Sequence, residues 1–332
     1  MTSRTEWAPR PSEPSQRWVI AKWLVLAGYL GLVAALFVEP DRSTMIFWNG
    51  LVPLLPAMFL VNVELWRNVC PLATLNAIRR DTNESLPMSK KAVRVTAAAG
   101  IAAFLTCLPV RQVILNVDGA AIAWFLAAVG ILALLSGLRY QRKAGFCNSV
   151  CPILPIERLY GTRPMVAVEN ARCTPCRACT RSGCIDLGTE RSVLQILGDA
   201  AQTRAWVTKP FGAFPLAFPG IIAAFYLMPA ESGGDVLRAS LAVGLGASAS
   251  WMLLGVSVAM QPIPPANSLV GVSALAAGLY YWFTAPISVD ALGLPDASTA
   301  VIRVASLTLI AVWLALAIRR QEEFASVGTP WV

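Results

Sequence analysis

The chain has 332 residues, 56% of them hydrophobic and only 14% charged, with a mean hydropathy of +0.59 and a net charge of +8. That balance excludes an ordinary soluble domain and predicts an all-α integral membrane protein, in which the positive charge has a membrane rather than a nucleic-acid explanation. The absence of histidine excludes bis-histidine haem and the usual histidine-bearing zinc, copper and non-haem iron sites, so a redox metal here must be held mainly by sulfur.

The first 18 residues form a polar, proline-containing leader with no cleavable signal sequence evident. A membrane-crossing helix needs about 20 apolar residues. Eight stretches qualify: 19–38, 45–65, 93–113, 120–138, 211–229, 236–258, 268–284 and 300–318. The fifth carries Pro215 and Pro219, and the seventh is short. The expected organisation is a leader (1–18), a four-helix unit of two repeated hairpins (19–138), a polar loop (139–209), a second four-helix unit (210–318) and a tail (319–332). Of the 27 lysines and arginines, 23 fall on one side of this arrangement, leaving Arg42, Arg111, Arg238 and Arg303 opposite. The positive-inside rule then puts both termini and the 139–209 loop in the cytoplasm, as in a bacterial inner membrane. Arg111 and Asp118 flank an outer turn and are expected to form a surface pair.

The second stretch ends with Asn62 and Glu64, shortly before Cys70-Pro71. An ionisable group at that depth is a functional candidate, and without histidine Glu64 is the obvious proton carrier for quinone chemistry, although an interfacial glutamate needs no such role. The segment Val69-Cys70-Pro71 returns as Val150-Cys151-Pro152 at an offset of 81, with apolar positions following in step. Each copy follows a helical hairpin, as in a duplicated two-span unit. Where the second copy has Cys147, the first has Trp66. Cys107 lies inside the third stretch and reads as an ordinary buried cysteine.

Six of the eight cysteines fall between Cys147 and Cys184. In a reducing compartment, metal ligation explains such clustering better than disulfides. Cys173, Cys176 and Cys179 are separated by two residues each, the spacing that wraps a loop around one iron–sulfur cube. The fourth ligand is open: Cys184 closes the simplest local loop, while Cys151, the cysteine before Pro152, could complete the cube instead. A structural zinc site of four cysteines is the competing reading, but zinc usually takes two separated knuckles. Cys70, Cys147 and Cys151 form a second constellation, able to hold another [4Fe–4S] cluster with Cys184 or a non-cysteine fourth ligand, or to hold nothing. Arg172, Arg177 and Arg181 interleave with the run. They could stabilise a reduced cluster or dock an acidic carrier, and a positive-inside loop explains them equally well. The amphipathic stretch from Ser192 to Trp206 suits an interfacial helix.

These motifs give the chain a resemblance to the membrane-bound 4Fe–4S polyferredoxins. That family includes the quinol-dehydrogenase component of periplasmic nitrate reductase and the maturation protein of nitrous oxide reductase. The Trp66–Leu75 stretch is similar to membrane iron–sulfur proteins of photosynthetic cyclic electron flow. The resemblance covers about residues 45–190. The chain departs from the family pattern in having Trp66 in place of a cysteine, a single ferredoxin-type run, and four residues rather than three before Cys184 with no proline after it. The resemblance implies [4Fe–4S] cofactors at cytoplasmic helix ends, quinone as a partner, and a soluble or membrane-bound redox partner such as an acidic ferredoxin or flavodoxin. On this reading the chain relays single electrons, as the quinol–quinone oxidoreductase subunit of a larger electron-transfer system. A cluster-bearing assembly or regulatory factor for another metalloenzyme would need the same cysteines.

Overall fold

Hydrocarbon offers no partner to a bare peptide N–H or carbonyl, so an apolar chain must close its backbone hydrogen bonds within itself. The computed structural model describes residues 16–78, 90–140, 145–166, 168, 189–229, 235–261 and 263–326, and every regular element among them is helical. In chain order the helices are α1 (Gln16–Val38), α2 (Pro40–Met45), α3 (Val52–Val69), α4 (Pro71–Asn76), α5 (Lys90–Val110) and α6 (Gly119–Arg139). They continue as α7 (Leu154–Tyr160), α8 (Thr189–Leu197), α9 (Pro210–Leu227), α10 (Val236–Met260), α11 (Pro265–Ala291) and α12 (Ala297–Ser326).

Eight helical segments are long and apolar enough to cross a membrane: Gln16–Val38, Pro40–Val69, Val95–Leu115, Gly119–Arg139, Pro210–Leu227, Val236–Met260, Pro265–Ala291 and Ala297–Arg319. All eight expected spans are present. Their apolar side chains are exposed in a way only lipid would tolerate; Leu24, Trp124, Leu253 and Val301 are each more than two-thirds open. Pro215 and Pro219 are absorbed within α9, whose neighbours supply close cover. There Gly220 and Gly246 bring α9 onto α10, since a Cβ added at Gly220 would lie 2.0 Å from the Gly246 carbonyl oxygen. The stretch expected as one interfacial helix resolves into α8 followed by two 3₁₀ turns, Gly198–Gln202 and Arg204–Thr208.

Span two departs from regularity three times. A π-helical turn, Ile46–Leu51, joins α2 to α3. Within α3, the Tyr281 hydroxyl of α11 inserts between two backbone groups, donating to the Pro53 carbonyl at 2.8 Å and accepting from the Ala57 N–H at 2.8 Å. Asn62 then breaks the helix outright with extended dihedrals (φ −170°, ψ 125°). The expected span ending at residue 65 therefore continues to Val69 as a separate helical piece beyond that break.

The expected surface pair at the outer turn does not form. Arg111, in a second π-helical turn (Arg111–Leu115), lies 3.9 Å above the Trp48 ring and bonds Asn116 at 3.3 Å. Asp118 instead caps α6, accepting the Ala121 N–H at 3.0 Å. An aromatic face at the span's end holds the guanidinium better than a water-exposed carboxylate engaged as a helix cap. Cys107 is half-buried against the Leu36–Leu115–Ile122 cluster.

Replacing Tyr281 with phenylalanine strips a donor from Pro53 and an acceptor from Ala57. A loss of about 1–3 kcal/mol is expected, read as a lower thermal unfolding midpoint of the detergent-solubilised protein. An unchanged midpoint would show that the hydroxyl is not what repairs this stretch of span two.

Candidate functional site

The first Cys-Pro segment ends α3 and opens α4. Proline cannot continue a preceding helix, so Cys70 sits in extended conformation (φ −49°, ψ 125°) and Pro71 opens α4 as its first residue. The second copy turns through residues 145–153 before α7 begins. At the repeat offset the break at Asn62 lies close to the end of α6, so the short piece Val63–Val69 corresponds to the turn ahead of Cys151.

Two of the contacts between these segments are reciprocal, as about a local pseudo-two-fold axis. Helix α4 of the first lies on α6 of the second, while α7 of the second lies on α3 of the first. This is the reciprocal exchange expected of an isologous contact. Gly137 allows it: an added Cβ would stand 2.1 Å from the Asn76 carbonyl oxygen, and the Asn76 amide donates to the Ala133 carbonyl at 2.9 Å.

Cys70, Cys147 and Cys151, exposed by only 8%, 5% and 8%, line one narrow pocket between the copies. Pairs related by the offset form much of its wall: Cys70 with Cys151, Trp66 with Cys147, and Leu72 with Ile153. Phe146 closes the apolar side, and Arg67 and Glu157 supply charge. The Arg67 guanidinium donates to Glu157 at 2.6 Å and to Asn148 at 3.3 Å, with both members of the ion pair 3% exposed. Removing one partner from such a pair costs about 3–5 kcal/mol.

Burial, then the neighbouring Glu157, Cys147 and Cys70, push the Cys151 thiol well above its usual range. A buried Cys151 thiol favours its protonated form, and a metal binding there would have to displace that proton. The donors that line the pocket are three thiols. Among the described residues no three Cys, Asp or Glu converge to hold a single ion. A cube offers each thiolate a separate iron, and when bound it would supply one-electron storage. In this chain the residues that would hold it are Cys70, Cys147 and Cys151.

Cys173, Cys176, Cys179 and Cys184, with Arg172, Arg177 and Arg181, lie outside the described residues, but both stems of their loop are described. Met165 and Val166 donate N–H to the Leu60 and Val61 carbonyls at 3.1 and 3.2 Å, and the Asn62 amide donates to the Val166 carbonyl at 2.6 Å. The incoming stem thus pairs with span two where its own ladder fails. Arg163 grips Glu190 through two bonds of 2.9 and 3.1 Å, tying the incoming stem to α8. Arg163 also donates to the Ala317 carbonyl at 3.2 Å, and its own carbonyl accepts from Trp313 at 2.7 Å. Glu64, 8% exposed, sits two residues beyond the break, its N–H bound to the Asn62 side chain at 2.7 Å. Sequence reasoning missed Arg67, Glu157 and Asn62; only the offset, which sets Arg67 opposite Asn148, held a signal for the first.

The chain matches no family model, no curated protein and no solved structure.

In metal-free, fully reduced protein, alkylation of Cys151 at pH 8 should be many-fold slower than that of an unfolded control, because a raised thiol pKa leaves less thiolate. Peptide mass spectrometry measures this; equal rates would show that the pocket does not suppress ionisation.

Proposed function

We propose that this protein is an integral-membrane iron–sulfur electron carrier, passing electrons one at a time between the quinone pool and a redox partner. The observation that carries the reading is the convergence of Cys70, Cys147 and Cys151, from two repeated hairpins, on one buried pocket. The ferredoxin-type spacing of Cys173, Cys176 and Cys179 supports it independently, with Cys184 or Cys151 as the fourth ligand. Stems tied to span two and to α8 support a position of the run near the bundle, and the lysine and arginine distribution supports the cytoplasmic side. Glu64, buried beside the break in span two, is the proton carrier for a quinone headgroup at that end of the bundle. The resemblance to membrane polyferredoxins agrees with both cluster assignments.

The decisive experiment is anaerobic purification with iron and acid-labile sulfide analysis, followed by EPR during titration with a quinol. Reduction by quinol, or oxidation by quinone, supports the relay. A redox-inert protein with stoichiometric zinc would overturn it.

Two further outcomes are expected. Cys176→Ser should bleach most of the visible absorption of the run's cluster and lower iron and sulfide together, whereas Cys107→Ser should change neither; full iron content in Cys176→Ser would move the cluster elsewhere. Reporter fusions after Gly161 and after Asp290 should report opposite sides of the membrane, with the first in the cytoplasm. Reports from one side would remove the sidedness on which the reading rests.

A further inference from the structure

The pocket is lined by several residue pairs related by the offset of 81, but its charge is not so matched. At the offset of 81, Arg67 corresponds to Asn148 and Asn76 corresponds to Glu157. Arg67 and Asn148 touch each other at 3.3 Å, so they lie close to the pseudo-two-fold axis. An isologous contact between i and j implies its mirror image. The mirror of the Arg67–Glu157 ion pair is Asn148 with Asn76, two neutral amides. On that side Asn76 faces sulfur instead, with its carbonyl oxygen 3.8 Å from the Cys147 thiol. Amides at the mirrored positions hold the same kind of helix crossing, so the architecture does not itself require an ion pair. The pair is nonetheless fully buried and lines the same wall as Cys70, Cys147 and Cys151.

We infer that Arg67 and Glu157 are a positioning pair that sets the electron affinity of the redox group held at Cys70, Cys147 and Cys151; this rests on the iron–sulfur reading of that pocket. Reduction adds one electron and hence one negative charge to the pocket, and no bond is made or broken. In a dry, low-dielectric wall a nearby cation favours the reduced state and a nearby anion disfavours it. Glu157 also fixes the plane of the guanidinium fork, which a flexible ammonium could not reproduce. The two charges therefore act with opposite sign on the same group, and purely structural damage has no reason to do so.

The test is an EPR-monitored redox titration of the full-length protein in detergent, following the signal that Cys70→Ser abolishes. Arg67→Gln should lower the midpoint, making the ratio of reduced to oxidised cluster at fixed potential at least tenfold smaller, about 59 mV for one electron. Glu157→Gln should shift the ratio as far the other way. The double variant Arg67→Gln/Glu157→Gln, which copies the amide pair of the mirrored side, should return close to the starting value. Where Glu157→Gln does not accumulate, Arg67→Lys/Glu157→Gln keeps a cation beside a neutral amide and must still shift upward. Shifts of the same sign, or no shift with the cluster retained, overturn the inference while leaving the cluster assignment standing. If Cys70→Ser leaves iron, sulfide and every EPR signal unchanged, the pocket holds no cluster, and both the assignment and the inference fall.

Discussion

A helix broken inside a membrane has to find partners for the backbone groups it frees, and in this protein the rest of the cysteine end is arranged around that requirement. At Asn62 the ladder of span two fails, exposing carbonyls at Leu60 and Val61 about 10 Å from the helix end at 1.5 Å per residue. Each such group left bare in hydrocarbon would cost several kcal/mol. They are taken by the N–H groups of Met165 and Val166, in the segment that leads toward the cysteine run. The repair thus ties a loop of the second repeat to the helix that carries Trp66, Arg67 and Cys70. One irregularity fixes both the direction of Cys70 and the anchoring of the run's incoming stem.

The duplicated hairpin gives this region its economy. Two copies of a two-span unit, exchanging their short helices α4 and α7, bury a pocket that neither copy could close alone. Symmetry supplies the apolar wall and the two Cys-Pro cysteines. Divergence supplies the chemistry: Trp66 replaces a thiol with a flat apolar surface opposite Cys147, and Arg67 and Glu157 charge one side only. A buried pair of that kind is no cheap source of stability, because desolvation offsets much of its attraction. Its retention beside three thiols is better understood through the field it creates there.

The spans were legible because about 20 successive apolar residues leave little alternative to a helix in lipid. The break was not. Asn62 lies in an apolar run that composition alone reads as continuous, and its extended dihedrals are set by Val166, 104 residues away. The π-helical turns escaped for a similar reason, since nothing in Ile46–Leu51 marks it locally. Arg67–Glu157 was hidden because charge at positions 67 and 157 has no counterpart at 148 and 76, so the repeat offered no matched pair to notice. Arg111 was paired wrongly because proximity in sequence favoured Asp118, whereas the turn presents Trp48, from another span, directly beneath the guanidinium.

The last four spans carry no sequence motif, yet they bear on the site through its stems. Trp313 and Ala317 of α12 hold Arg163 from both sides, through its carbonyl and its guanidinium. The Ser273 hydroxyl of α11 donates to the Leu159 carbonyl of α7 at 2.7 Å, and Tyr281 from the same helix props open the ladder of span two. Val193 and Leu197 of α8 pack with Leu216 of α9 and Leu269 of α11, seating the outgoing stem on the same unit. Residues 163 and 190 are therefore clamped to each other and to the second four-helix unit, while residues 165 and 166 are sewn to the first. A loop of this length, free at its ends, would sample many positions over the membrane face. Both described ends of the segment are instead fixed, one to each unit. The second unit thus has a structural reason to exist without containing a single cysteine.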